Sequence, residues 1–137
     1  MKKYDQVPHT ADLAARIYGR KLSELFENAA FAMFDMMADL EGLIQEEEVE
    51  ISVEAPDLES LLIFWLNEVL YSSYEKEIFF SEFHIISFHD NGLTATAKGG
   101  PLGLRNRIRN EIKAATFHDV RIEETDDGYE VTVVFDV

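Results

Sequence analysis

Two short segments at opposite ends of the chain carry the residue types best suited to chemistry. His9-Thr10-Ala11-Asp12 stands near the start, and the sequence closes on Asp136-Val137. Each puts a carboxylate at or beside an expected strand end, and Val137 adds an α-carboxylate. If the fold brings the ends together, three oxygen-rich groups and an imidazole converge on one spot. Hard divalent cations such as Ca²⁺ and Mg²⁺ take oxygen ligands of this kind. The rest of the chain offers no comparable cluster.

Each of these residues also has an ordinary structural reading. Asp12 suits an Asx-type hydrogen bond at a strand start as well as it suits a ligand. Asp136 lies in the apolar run Val131 to Val137, where a charge is costly unless it is paired, bound to metal or on an exposed face. Alternation puts Thr132, Val134 and Asp136 on one face, and Val131, Val133, Phe135 and Val137 on the other. His118-Asp119 falls at a turn between two expected strands, where a histidine orients a carboxylate, binds metal or caps the turn. His84 and His89 alternate with core positions and read as surface residues. Asp12 and Asp136 could do acid–base work as a pair, but nothing in the sequence describes a substrate pocket.

Several other chemistries are absent. There are no cysteines, hence no thiolate metal site, disulfide or cysteine nucleophile. No Gly-x-Ser-x-Gly or Gly-x-Gly-x-x-Gly occurs, and Gly99, Gly100 and Gly103 do not match a P-loop.

The elements that must position these groups alternate between strand and helix patterns. The 137 residues, 47% of them hydrophobic, suit one domain spanning residues 1–137. Leu13 to Gly19 alternates as a half-buried strand. Leu22 to Ala38 repeats apolar residues at three- and four-residue steps, the mark of an amphipathic helix. Val49, Ile51, Val53 and Ala55 alternate with Glu48, Glu50, Ser52 and Glu54, and Pro56 ends that strand. Asp57 is a good N-cap for a second, largely buried helix ending near Tyr74, anchored by Trp65. Phe79 to Phe88 reads as one bent strand. Asp90-Asn91-Gly92 turns it into a return strand through Leu93, Ala95 and Ala97. Gly99 to Gly103 reads as a loop. Ile112 to Phe117, Val120 to Glu124 and Tyr129 to Val137 are expected as closing strands, the last two joined by Asp126-Asp127-Gly128. Two amphipathic helices packed on a mostly antiparallel sheet make an α+β sandwich.

Charge narrows the choice of partner. Twelve Lys and Arg against 27 Asp and Glu leave a net charge of −15. Phosphate backbones repel such a chain, so contact with RNA is expected only indirectly or within a complex. Arg105, Arg107, Arg109 and Lys113 form one locally basic stretch. An acidic body of this kind suits docking on a basic protein, or a need for cations. Tyr4-Asp5-Gln6 interrupts any leader after Met1-Lys2-Lys3. Asp35, Asn67 and Glu68 break the apolar stretches well short of the ~20 residues of a membrane span. A cytoplasmic protein with no membrane partner is the expectation.

Several segments, in order, together resemble the archease family nearly end to end. They are His9-Thr10-Ala11-Asp12 with Tyr18-Gly19, the helix Phe26 to Met37, and Asp57-Leu58-Glu59-Ser60-Leu61-Leu62 leading to Trp65-Leu66-Asn67-Glu68. Phe80-Ser81-Glu82-Phe83, Ile112-Lys113-Ala114-Ala115-Thr116-Phe117-His118 and Phe135-Asp136-Val137 complete the set. The chain departs from the family pattern at Ala115 (usually Val or Ile), at Phe117 (usually Tyr), at Lys21 (usually a Ser or Thr helix cap) and in the arginine-rich segment Leu104 to Asn110.

The resemblance implies a protein cofactor rather than an enzyme. Archeases assist the RtcB-type RNA-splicing ligase, which joins tRNA halves and is charged with GMP from GTP on a histidine, using Mn²⁺. They promote its guanylylation and multiple turnover. The family's metal site would map onto Asp12, Asp136 and the Val137 carboxylate, holding Ca²⁺, with Mn²⁺ or Mg²⁺ as alternatives. His9, His118 and Lys113 would support the metal or partner site. The competing readings are a chaperone-like modulator of other nucleic-acid-processing proteins and a small metal-dependent hydrolase using Asp12, Asp136 and His118.

Overall fold

The computed structural model describes residues 2–9, 12–103 and 106–137. The chain runs β1 (Tyr4–Val7), β2 (Leu13–Gly19), α1 (Leu22–Met37), β3 (Glu47–Glu54), α2 (Leu58–Lys76), β4 (Phe79–His89), β5 (Gly92–Gly100), β6 (Ala114–Ala115), β7 (Glu123–Thr125) and β8 (Gly128–Asp136). The α+β class holds, but the strands form two antiparallel sheets rather than one. The larger has the order β1-β2-β8-β6, with β7 also paired to β8, and the smaller is β3-β5-β4.

The helices join the two sheets. α1 touches β2 of the larger sheet and β4 of the smaller, while α2 touches β3 and β6. That explains why α1 is apolar on nearly every side: Leu25, Phe26, Ala29, Ala30, Met33, Phe34, Met36 and Met37 are all buried. Lys21 at its N-cap makes no side-chain bond. Glu24 reaches back to the Arg20 N–H instead, at 2.8 Å. Asp57 does cap α2, accepting from the Ser60 N–H at 2.8 Å. Trp65 is fully buried and its Nε1 donates to the Phe26 carbonyl at 2.9 Å, tying the helices together. Among the described residues no helix is long and apolar enough to cross a membrane.

The strand alternation of the smaller sheet is as expected. Ile51, Leu93, Ala95, Ala97, Phe80 and Ile85 face the core, and the glutamates of β3 face water. β4 bends through register shifts at Phe80/Glu82 and Ile85/Ser87. The Ile85 N–H at the second shift donates to Glu27 of α1 at 2.8 Å.

Four expectations need correction. Gly99 and Gly100 belong to β5 rather than to a loop, which begins at Pro101. A Cβ at Gly99 would run into the Phe79 carbonyl, and one at Gly100 into the Ile44 carbonyl, so glycine is what lets the backbones close up. The strand expected over Ile112 to Phe117 shrinks to Ala114–Ala115, and that over Val120 to Glu124 shifts to Glu123–Thr125. The reason is that only one side of this segment pairs with a strand, β8, while α2 side chains take backbone groups on the other. Tyr74 donates to the Ile112 carbonyl, Asn67 pairs with Ala115, and the Ile122 N–H donates to Glu59 at 3.1 Å. Finally, Tyr4–Val7 is a strand where none was read. Its sequence lacks an apolar period, and it is held by pairing with β2 and by the Tyr4 hydroxyl on Asp35 at 2.5 Å.

The basic stretch is partly structural. Arg109 and Asn110 N–H groups donate to the Met37 carbonyl, and Arg109 also donates to the Asp35 carbonyl at 2.9 Å. A cation at a helix C-terminus is favourable. Arg105 lies outside the described residues.

Candidate functional site at the end of the larger sheet

β8 is central in the larger sheet, with β2 on one side and β6 on the other. Its last residues are therefore flanked on both sides. Leu13 of β2 pairs with Phe135; Asp12 immediately precedes β2 and Asp136 is the last residue of β8, so the two aspartates lie at the same end of this strand pair. On the other flank Ala114 pairs with Asp136, and the Lys113 N–H donates to the Asp136 carbonyl at 2.7 Å. Phe135 points into the core with no exposure, which turns Asp136 outward by alternation; it is exposed.

Two histidines meet at this end. The β1–β2 loop carries His9, whose Nδ1 lies 3.6 Å from Asp12 Oδ2, both side chains about one-third exposed. The turn after β6 carries His118, whose Nε2 lies 3.3 Å from Asp119 Oδ2. Asp119 adopts a left-handed φ of 48°, which sharpens that turn. The His9 and His118 rings meet edge to face, with centroids 5.7 Å apart. Thus His9, Asp12, Lys113, His118, Asp136 and Val137 all lie at one end of one sheet, although they are separated by up to the whole chain in sequence. Thr10 and Ala11, the middle of the N-terminal segment, lie outside the described residues.

The donors here are carboxylate oxygens, suited to a hard cation. Among the described residues no three Asp, Glu or His side chains are gathered closely enough to hold an ion on their own. Asp12 and Asp136 would hold an ion at this end only together with further oxygen donors. The donor chemistry fits that role, and both aspartates are at least partly open to solvent.

Sequence reasoning missed the residues that hold this end in shape. The Asn67 amide pairs with both backbone groups of Ala115, at 2.7 and 3.1 Å. The Thr116 hydroxyl donates to the Val134 carbonyl at 2.8 Å. The one available signal was a polar residue, Asn67, set in the apolar run of α2.

Comparison with known proteins fits this architecture. The archease protein family matches residues 4–137. The chain belongs to the archease family. Curated archeases from Methanosarcina barkeri and Archaeoglobus fulgidus are each 40% identical to it, over 99% of this chain and 97% of the first, and 98% of this chain and 99% of the second. Two solved structures share the fold. A solution structure of Methanobacterium thermoautotrophicum protein 1598 has a TM-score of 0.82 at 34% identity, covering all of both chains. A crystal structure from Thermotoga maritima, described as an archease and possible chaperone, has a TM-score of 0.68 at 26% identity, covering all of this chain and 98% of that one. The family match spans all of the segments quoted above, from His9 through Val137.

Proposed function

We propose that this archease is a protein cofactor of an RtcB-type RNA ligase, promoting its GTP-dependent guanylylation and multiple turnover in the cytoplasm. The observation that carries the reading is the convergence of His9, Asp12, His118 and Asp136 from both chain ends over the end of β8. This is an acidic tip on a protein of net charge −15. The tip suits insertion into a basic cleft of the kind that binds nucleotide phosphates.

In this reading Asp12, Asp136 and the Val137 carboxylate hold a divalent ion, Ca²⁺ or alternatively Mn²⁺ or Mg²⁺. Once bound, such an ion would supply positive charge next to phosphate oxygens. The chain's own residues orient the tip. β8 holds Asp136 between β2 and β6, the Lys113 N–H donates to its carbonyl, and the His9 and His118 rings meet edge to face. RNA is contacted only within the complex, because the protein's own charge opposes it.

The test is multiple-turnover RNA joining by an RtcB-type ligase from the same organism, with GTP and Mn²⁺, with and without this protein. Stimulation by the wild type that is lost in Asp12→Ala and in Asp136→Ala is the expected result. Full stimulation by both variants would overturn the acidic-tip mechanism.

A second reading is a chaperone-like modulator of other nucleic-acid-processing proteins. It is favoured by the exposed rings of Phe64 and Phe117 beside the site, at 41% and 53% exposure. Aggregation assays with unrelated denatured proteins separate it from the first.

A further inference from the structure

We infer that the Phe64–Phe117 pair, with Tyr71 two turns further along α2, is the apolar anchor that a basic protein partner covers when it receives the acidic tip. The inference rests on the cofactor reading and names the second half of the same interface.

The aromatic residues form a defined feature. Phe64, Tyr71 and Tyr74 share one face of α2 with Asn67, at steps of three and four residues. Phe117 meets Phe64 edge to face with ring centroids 6.1 Å apart. Tyr71 is 61% exposed, more than either phenylalanine. Phenylalanine has no polar atom to favour water, so two touching rings held at the surface mark a place that something covers. Aromatic side chains of this kind dominate the energetic centre of protein interfaces.

Position and charge say what covers them. Phe117 immediately precedes His118, whose ring contacts His9, which in turn pairs with Asp12. A standard interface takes about 800 Å² from each partner, a disc of roughly 16 Å radius. A partner of ordinary size centred on the tip therefore covers Phe117 and Phe64 as well. The surroundings carry more acid than base: Glu68 and Glu75 on α2, the latter accepting from the Tyr71 hydroxyl at 3.1 Å, Glu111 beside Ile112, and Asp119 and Asp136 at the tip, against Lys76 and Lys113. The complementary face is an apolar pocket flanked by Lys and Arg. A second copy of this chain is a poor occupant, since it would bring −15 against −15.

The patch is also built rigidly. Segment 112–117 is pinned to α2 through Tyr74 and Asn67 and to β8 through Thr116. Promiscuous binding surfaces are instead flexible and methionine-rich. A fixed two-ring anchor suits one partner rather than many clients.

Titration calorimetry of the ligase with wild type, Phe64→Ala, Phe117→Ser, Phe117→Tyr and Asp136→Asn, over a range of salt, tests the inference. Phe64→Ala and Phe117→Ser should each weaken binding about tenfold or more, with the salt dependence and the melting temperature near wild type. Phe117→Tyr, which keeps the ring, should bind as wild type does. In RNA joining, the alanine and serine variants should need more protein for half-maximal stimulation yet reach the same maximum. Wild-type affinity in both variants, with a ligase that the wild type binds, would overturn the anchor while leaving the cofactor reading standing. A wild type that neither binds nor stimulates the ligase removes both. Self-association, or rescue of denatured proteins, that is lost in these variants while ligase affinity is unchanged would reassign the patch and overturn the inference.

Discussion

Asn67 of α2 pairs with Ala115 of β6 as a neighbouring strand would. The Ala115 N–H donates to Oδ1 at 2.7 Å, and Nδ2 donates to the Ala115 carbonyl at 3.1 Å. A helix side chain thus completes a sheet edge one step from the acidic tip. Ala115 is only 4% exposed, so its backbone groups have no ready substitute partner.

Replacing Asn67 by Ala should destabilise the fold by about 2–6 kcal/mol, because two backbone groups lose their partner and each buried group left unpaired costs about 1–3 kcal/mol. Asn67→Asp keeps the acceptor for the Ala115 N–H and should lose less. Denaturant unfolding measures both. Amide exchange at Ala115 should speed up in Asn67→Ala before the rest of the sheet is affected.

The proposed ion site makes a prediction independent of any ligase. Calorimetric titration with Ca²⁺ should show binding to the wild type that weakens about tenfold or more in Asp12→Ala and in Asp136→Ala, as each charged ligand is removed. Both variants should stay folded, since neither side chain is in the core. Unchanged Ca²⁺ binding in both would dismiss these residues as ligands.

Gly99→Ala should be among the most damaging single-methyl changes in the chain. The added Cβ meets the Phe79 carbonyl and backbone, which have no freedom to move inside the smaller sheet. A loss of about 3 kcal/mol or more, or failure to accumulate as folded protein, is expected. Near-wild-type melting would show that the sheet can open at that point.

Acid should destabilise the protein through specific carboxylates. The Ser60 N–H holds the Asp57 carboxyl below its ordinary range, and Lys2, then Tyr18, do the same for Asp5. A carboxyl whose folded value lies below its unfolded one stabilises above the unfolded value, near pH ~4. That stability is lost as pH falls through the folded value. Melting temperature should therefore fall on acidification below about pH 4. In Asp57→Ala it should start lower at neutral pH and fall less steeply. Parallel curves for the two proteins would remove Asp57 from the account.

Trp65 offers a check on the helix–helix contact. It is the only tryptophan, fully buried, and bonded to the Phe26 carbonyl. Its emission should be blue-shifted and should report global unfolding. Trp65→Phe should cost about 2–3 kcal/mol, the removed ring volume leaving a cavity.

The local elements were legible in the sequence because their signals are local. β2, α1 and α2 follow apolar periods of two or 3.6 residues, and the Asp57 cap and the Asp90-Asn91-Gly92 turn depend only on near neighbours. Family likeness was legible too, because the segments stand in order. The short strand β1, the division into two sheets and the fate of segment 112–122 were not. Each is decided by groups far away in the chain: Asp35 for Tyr4, Phe79 for Gly99, and Asn67, Tyr74 and Glu59 for the backbone of that segment. The same division holds for the tip. Residue types marked Asp12 and Asp136 as able to act together. Only the β2–β8 register brought them to the same end of one sheet, and only the tertiary fold brought His9 against His118, because side-by-side placement of distant residues is a property of packing rather than of sequence pattern.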